Sequence, residues 1–214
     1  MNKIRIIIYE QCSIVSEGLK QIINEQNNYE VCYIFNSKFK ALEKINECKP
    51  NLAIINISFN CSTGIEFIQE LKIQYPNLNI LVFSDYCELI YAEKVINAGA
   101  QGFIMKSCSI NELLKAINKV SKGEIYLSDM MLSRILKKSI NGYQIKKKSV
   151  IDTLSNRELE VLQLISSGLT TKNISDMLNL SIKTIETYRS LIKKKLELKN
   201  STQLIKFAIE FNLF

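Results

Sequence analysis

Along the first half of the chain, hydrophobic residues form short unbroken runs. Each run is followed by a longer stretch in which they recur every three or four positions. "IRIIIY" (4–9), "YEVCYIF" (29–35), "NLAIIN" (51–56), "NILVFS" (79–84) and "GFIM" (102–105) have the length and the β-branched or aromatic content of buried strands. Between and after them, residues 13–26 (apolar at Ile14, Val15, Leu19, Ile22 and Ile23), 38–48, 64–76, 87–98 and 109–123 read as amphipathic helices, the third closed by Pro76. Five strands alternating with five helices predict an α/β domain over residues 1–123, a doubly wound five-stranded parallel sheet with helices on both faces.

Beyond this domain the pattern changes. Residues 124–150 are lysine-rich, contain Asn-Gly and lack a periodic face over most of their length, so they read as a basic linker. "SDMMLSRILKK" within them has the make-up of a short helix. From 151 to 214 the strand-type runs disappear and four helices are expected, an all-α C-terminal domain. Ser155 with Glu158 three residues on is a capping box, and that helix ends at Gly168. A second helix starts near Thr171, Ser181 caps the third and Ser201 the fourth. Only "NLS" separates the second from the third, the tight turn of a helix-turn-helix unit.

Charge sharpens the division. Residues 1–125 hold 13 basic and 13 acidic side chains, 126–150 hold 6 and 1, and 151–214 hold 9 and 7. The net +7 therefore belongs to the linker and the C-terminal part, which fits a polyanion partner or a solvated basic face. On a helical wheel of the third C-terminal helix, Ile182, Ile185, Ile192 and Leu196 fall inward, with Leu191 beside them. Lys183, Thr184, Glu186, Thr187, Arg189, Ser190 and Lys193 fall outward. Hydroxyls and long cations on an exposed helix suit base edges and phosphates. A basic helix that only solubilises its bundle shares these features.

Other chemistry is restricted by what the chain lacks. It has no His, which removes Ser/His and Cys/His catalysis, His-based metal sites and a phosphohistidine relay; no enzyme activity, cofactor or resident metal is expected. Its six Cys form no CxxC. Cys12, Cys61, Cys87 and Cys108 fall in loops at one edge of the predicted sheet, either as a thiol cluster for oxidants or a soft metal, or as small half-buried residues. No apolar run approaches the roughly 18 residues of a membrane span. The first such run is short and meets Glu10, so no signal peptide is expected and the location is read as cytoplasmic.

"LSNRELEVLQLISSGLTTKNISDMLNLSIKTIETYRSLIKKKLELKNSTQLI" closely resembles the LuxR-type helix-turn-helix of NarL/FixJ-type response regulators. The resemblance implies contact with double-stranded DNA at Lys183, Thr184, Thr187, Arg189 and Lys193, with Tyr188 standing where His is common. Glu158 is expected to be a cap and scaffold residue. The first half resembles a receiver domain, a flavodoxin-like fold, through "GAQGFIMK" (99–106) and "VFS" (82–84). In receivers, acids at the carboxyl end of the sheet hold Mg²⁺ and one accepts a phosphoryl group. Ser84, Phe103 and Lys106 match the switch hydroxyl, aromatic residue and lysine, Glu10 and Gln11 stand at the paired acids, and Asn56 stands at the phosphoacceptor. Glu10 is then the one acid left for Lys106 to balance. The resemblance implies a transcriptional regulator whose receiver acts without phosphorylation, in forming a homodimer or binding a sensor or regulator protein. A conventional regulator with weak Mg²⁺ binding through Glu10, and a thiol-responsive one, are the alternatives.

Overall fold

A computed structural model describes residues 3–57, 61–140 and 153–212. The chain divides into two compact units, Met1–Ser139 and Ile140–Phe214.

The first unit is built on strands β1 (Ile4–Tyr9), β2 (Tyr29–Phe35), β3 (Leu52–Ile55), β4 (Asn79–Ser84) and β5 (Gly102–Met105). All pair in parallel, in the order β2-β1-β3-β4-β5. Helices α1 (Ser13–Asn24), α2 (Lys38–Cys48), α3 (Cys61–Gln74), α4 (Glu88–Asn97) and α5 (Ile110–Val120) follow the strands in turn. Because both sheet faces are covered, β3 is buried at every position, which is why these strands read as continuous apolar runs. Ile6, Ile8, Leu52, Ile54 and Leu81 pack with Leu19 and Ile23 of α1 and Leu113 and Ile117 of α5. Alternate strand residues such as Ile7, Ile55 and Val82 are equally buried, as are Phe67 and Ile68 of α3 and Tyr91 and Val95 of α4.

Two glycines explain the "GAQGF" run. Gly99 has φ +106°, a conformation that costs L side chains energy. A Cβ at Gly102 would stand 2.8 Å from Val120 Cγ2, so helix α5 could not approach β5 as closely.

The stretch expected as linker from residue 124 begins as part of this unit. The Tyr126 N–H donates to Gln101 O (2.9 Å) and the Phe103 N–H donates to Tyr126 O (3.0 Å), covering the open edge of β5. Leu127 and Met131 are buried, and α6 (Asp129–Ile140) follows. The apolar positions Leu127 and Met131 supply the anchoring that the basic composition obscured. The rest of that linker, 141–150, lies outside the described residues.

The second unit holds α7 (Asn156–Ser166), α8 (Thr171–Leu178), α9 (Ile182–Lys195) and α10 (Ser201–Asn212). Leu159, Leu162, Ile165, Ile174, Ile185, Ile192 and Leu204 form its buried interior. The capping box at Ser155 and Glu158 is present, Thr170 caps α8 and Ser181 caps α9. At α10 the cap differs from expectation: Asn200 Oδ1, not Ser201, accepts the Gln203 N–H at 2.9 Å. Asn179, at φ 52°, turns the chain between α8 and α9.

Candidate functional site

Adjacent strands β1 and β3 send their following chains in opposite directions across the sheet, which opens a crevice at their carboxyl ends. Glu10, Gln11 and Asn56 lie there. The Glu10 N–H donates to Phe35 O (3.1 Å) and the Asn56 N–H to Tyr9 O (2.8 Å), fixing both backbones to the sheet. The buried Asn56 side chain donates from Nδ2 to Glu10 Oε1 and to Gln11 Oε1, each at 3.0 Å. Glu10 is also buried, and its Oε1 accepts the Cys12 N–H at 2.9 Å.

The second Glu10 oxygen faces the Lys106 ammonium at 2.9 Å. Lys106 reaches Asp85 Oδ2 as well, at 3.2 Å. Burial pulls the Lys106 pKa down, but hydrogen bonding and charge from Glu10, then from Asp85, outweigh it and leave the ammonium above its ordinary value. The expectation of Glu10 as the one remaining acid near Lys106 is therefore corrected. Asp85 directly follows the Ser84 that sequence reading singled out, and that adjacency was the missed signal.

Ser84 is fully buried. Its hydroxyl donates to Ile57 O (3.1 Å) and accepts the Tyr86 N–H (3.2 Å), while the Lys106 N–H donates to Ser84 O (2.8 Å). Phe103, the residue matched to the switch aromatic, is completely buried, and the Tyr126 segment runs along the free edge of its strand. The thiols are scattered in environment: Cys12 is exposed, Cys87 buried and Cys108 intermediate, and the Cys61 side chain lies outside the described residues. Among the described residues no group of three or more His, Cys, Asp or Glu is placed to hold a metal. The thiols that do meet are Cys32 and Cys48, which sequence reading left out because they are 16 positions apart on different elements.

In the second unit, the exposed side of α9 gathers most of the residues expected to touch DNA. Lys183, Thr184, Thr187 and Tyr188 line one shallow depression with Ser181. Ser181 Oγ accepts the Thr184 N–H at 3.0 Å and lies 2.8 Å from Thr184 Oγ1. The Thr187 hydroxyl donates back to Lys183 O at 2.9 Å, so toward any ligand it offers lone pairs. Arg189 and Lys193 are partly exposed on the flank. Two wheel assignments change: Ile182 and Leu191, expected inward, are 49 % and 40 % exposed. Ile182 sits in the first turn of α9, and Leu191 lies about 110° from the mean Ile185–Ile192 direction at 100° per residue.

This helix is held to the unit through Lys195, whose ammonium meets Glu158 Oε2 at 2.7 Å. Burial tends to raise the Glu158 carboxyl pKa, but Lys195 and Ser155 hold it below its ordinary value. Its neighbour Glu160 goes the other way. Burial raises it, Arg157 at 2.8 Å offsets only part, and Glu160 Oε1 has no hydrogen-bond partner among the described residues.

Comparison with known proteins follows this division. Residues 6–118 match the response regulator receiver domain, and residues 152–208 match the luxR family of bacterial regulatory proteins. The oxygen regulatory protein NreC of Staphylococcus haemolyticus is 30 % identical over 213 residues, covering 98 % of each chain, and that of Staphylococcus aureus strain JH9 is 29 % identical over the same span. A structure of the RcsB response regulator of Salmonella typhimurium is 25 % identical, with a TM-score of 0.59 over 97 % of this chain and 98 % of that one. Another, of RcsB in complex with DNA, has 25 % identity and a TM-score of 0.58, covering 96 % and 98 %. Matched at both ends and along nearly its whole length, this chain belongs to the NarL/FixJ-type response regulators, a receiver domain joined to a luxR-family module.

Proposed function

We propose that this protein is a transcriptional regulator that binds double-stranded DNA through α9 and whose receiver works without aspartyl phosphorylation. The observation that carries the second part is the Asn56 amide, which donates to Glu10 and Gln11 at 3.0 Å. A phosphoacceptor attacks phosphorus through a carboxylate oxygen, whereas an amide is a poor nucleophile and a weak Mg²⁺ ligand. The Lys106 ammonium already pairs with the buried Glu10 carboxylate, and its second partner, Asp85, is largely exposed to water, so the buried charge is compensated without a metal ion.

The depression along Lys183, Thr184, Thr187 and Tyr188, flanked by Arg189 and Lys193, supports a helix that meets the major groove. The RcsB–DNA complex of the same fold supports the same assignment. A homodimer reading two half-sites is the matching assembly, with the receiver contributing to dimerisation or binding a partner protein.

The test is DNA selection and footprinting with reduced, unphosphorylated full-length protein, together with its intact mass after acetyl phosphate and Mg²⁺. A symmetric two-half-site footprint and an unchanged mass are expected. Addition of one phosphate would remove phosphorylation independence. Sequence-blind binding that survives Arg189→Glu with Lys193→Glu would remove the assignment of α9.

A further inference from the structure

The first unit carries a feature that neither the pocket nor the DNA-facing helix uses. Strand β2 is an edge strand, and its pairing with β1 slips by one residue: Ile6 faces Val31, but Ile7 faces Tyr33. Cys32 is therefore the extra, bulged residue. Bulges re-aim side chains, and they occur most often at sheet edges. Here the bulge turns the Cys32 thiol onto the Ile6 carbonyl, to which it donates at 3.2 Å. Helix α2 packs on β2 here, with the Lys44 ammonium 5.6 Å from the Tyr33 ring, and the thiol of Cys48, the last residue of α2, is close enough to interact with that of Cys32. Neither cysteine is fully buried. The position of Cys48 is set by the end of its helix, where Lys49 takes φ 45° and its N–H donates to Ile45 O at 2.8 Å.

We propose that Cys32 and Cys48 are a reversible dithiol–disulfide pair, oxidised by hydroperoxides, which covalently joins the β2 bulge to the end of α2. The roles of the two sulfurs differ. The Cys32 proton is committed to the Ile6 carbonyl, and burial, then the neighbouring Cys48 thiol, push the Cys32 thiol up to about 11. With the Cys32 thiol held on the Ile6 carbonyl, we assign Cys48 as the attacking sulfur. Its thiolate takes the terminal peroxide oxygen, the O–O bond breaks, and the alcohol leaves with a proton, giving a Cys48 sulfenic acid. The Cys32 sulfur then attacks the Cys48 sulfur, the S–S bond forms, and the S–O bond breaks. The hydroxyl departs with the Cys32 proton as water. Two thiols lose two electrons and two protons, and one hydroperoxide becomes alcohol and water. A low-molecular-weight thiol reverses the change by exchange.

This pair is separate from the four loop cysteines weighed in the sequence, and it does not depend on the proposed loss of phosphorylation. Its test is titration of reduced full-length protein with hydrogen peroxide, followed by alkylation of remaining thiols and mass spectrometry of unreduced digests. Fragmentation must distinguish Cys48 from Cys61, which stays on the same tryptic peptide because Pro50 follows Lys49. The expected result is loss of two hydrogen atoms from the intact mass, a Cys32–Cys48 cross-linked peptide as the dominant pairing, and full reversal by dithiothreitol. Cys48→Ala should eliminate that peptide, and Cys32→Ala should leave Cys48 as a sulfenic acid captured by dimedone. Alkylation of both Cys32 and Cys48 in protein whose other thiols have been oxidised would overturn the proposal, as would dominant pairing of either with another cysteine. Because the decisive reading is made on the unmutated protein, poor folding of a variant cannot obscure it.

Discussion

At position 56 the side-chain nitrogen donates to two oxygens, those of Glu10 and Gln11, both at 3.0 Å. Asn56→Asp would replace that donor with an acceptor facing two acceptors. The variant should lose about 1–3 kcal/mol at neutral pH, measured by urea denaturation. The introduced carboxyl would be held above its ordinary pKa by the Glu10 charge, so the loss should shrink as the pH falls and the group protonates and donates. It should still gain no phosphate from acetyl phosphate, because Gln11 brings no charge to the metal site. The amide at 56 is legible from one letter of sequence once the strand end is placed. Asp85 was not, since a sheet-edge acid points at Lys106 only after β4 and β5 are paired side by side.

Glu158 and Glu160 make a second test at this scale. Glu158 sits below its ordinary value, so its contribution is full above the unfolded carboxyl range and is lost as pH falls through the folded value. Glu160 sits above its ordinary value, so the folded state takes up its proton first and stability is lost as pH rises through that raised value. Glu160→Gln keeps an acceptor for Arg157 and removes a buried charge. Its Tm should exceed that of the parent at neutral pH, and the gap should close on acidification. Glu158→Gln should lower Tm at neutral pH, and that gap should also close on acidification.

Among the elements, α9 shows how a cap and the proposed contact surface share residues. Ser181 accepts the Thr184 N–H and also touches the Thr184 hydroxyl. Ser181→Ala should therefore cost about 1 kcal/mol of stability, read from denaturation, and should also weaken DNA binding by loosening the first turn of the reader. Thr187→Ala should change site preference rather than overall affinity. Its hydroxyl hydrogen is committed to Lys183 O, so the loss should fall at base pairs that present an amino donor. Binding titrations across single-base variants of the selected site decide this. The strands were legible because parallel, doubly covered strands leave no polar alternation to interpret. Helix ends were less so: Asn200 and Ser201 are both good caps, and only the chain direction at the turn selects Asn200. Similarly, Ile182 and Leu191 look like core on composition, but both remain substantially exposed.

For the whole molecule, the division of charge determines how binding should respond to salt. Residues 1–125 carry 13 basic and 13 acidic side chains and so have no net positive charge to displace counterions from DNA. The excess lies in residues 126–150 and in the C-terminal part, with Lys146, Lys147 and Lys148 consecutive. Each cation that neutralises a phosphate contributes roughly 0.9 to the slope of log affinity against log salt concentration. Lys193→Ala should thus reduce the slope by about one and weaken all sequences alike. Replacing Lys146, Lys147 and Lys148 together by Gln should lower it by up to roughly three such contributions while leaving the preferred half-site unchanged. The two results separate two sources of affinity. A reduced slope with unchanged preference would assign the lysine run to sequence-independent attraction and leave recognition to α9. An unchanged slope would mean that these lysines stay away from the phosphates, and the electrostatic contribution would then have to come from residues 151–214 together with Arg134, Lys137 and Lys138.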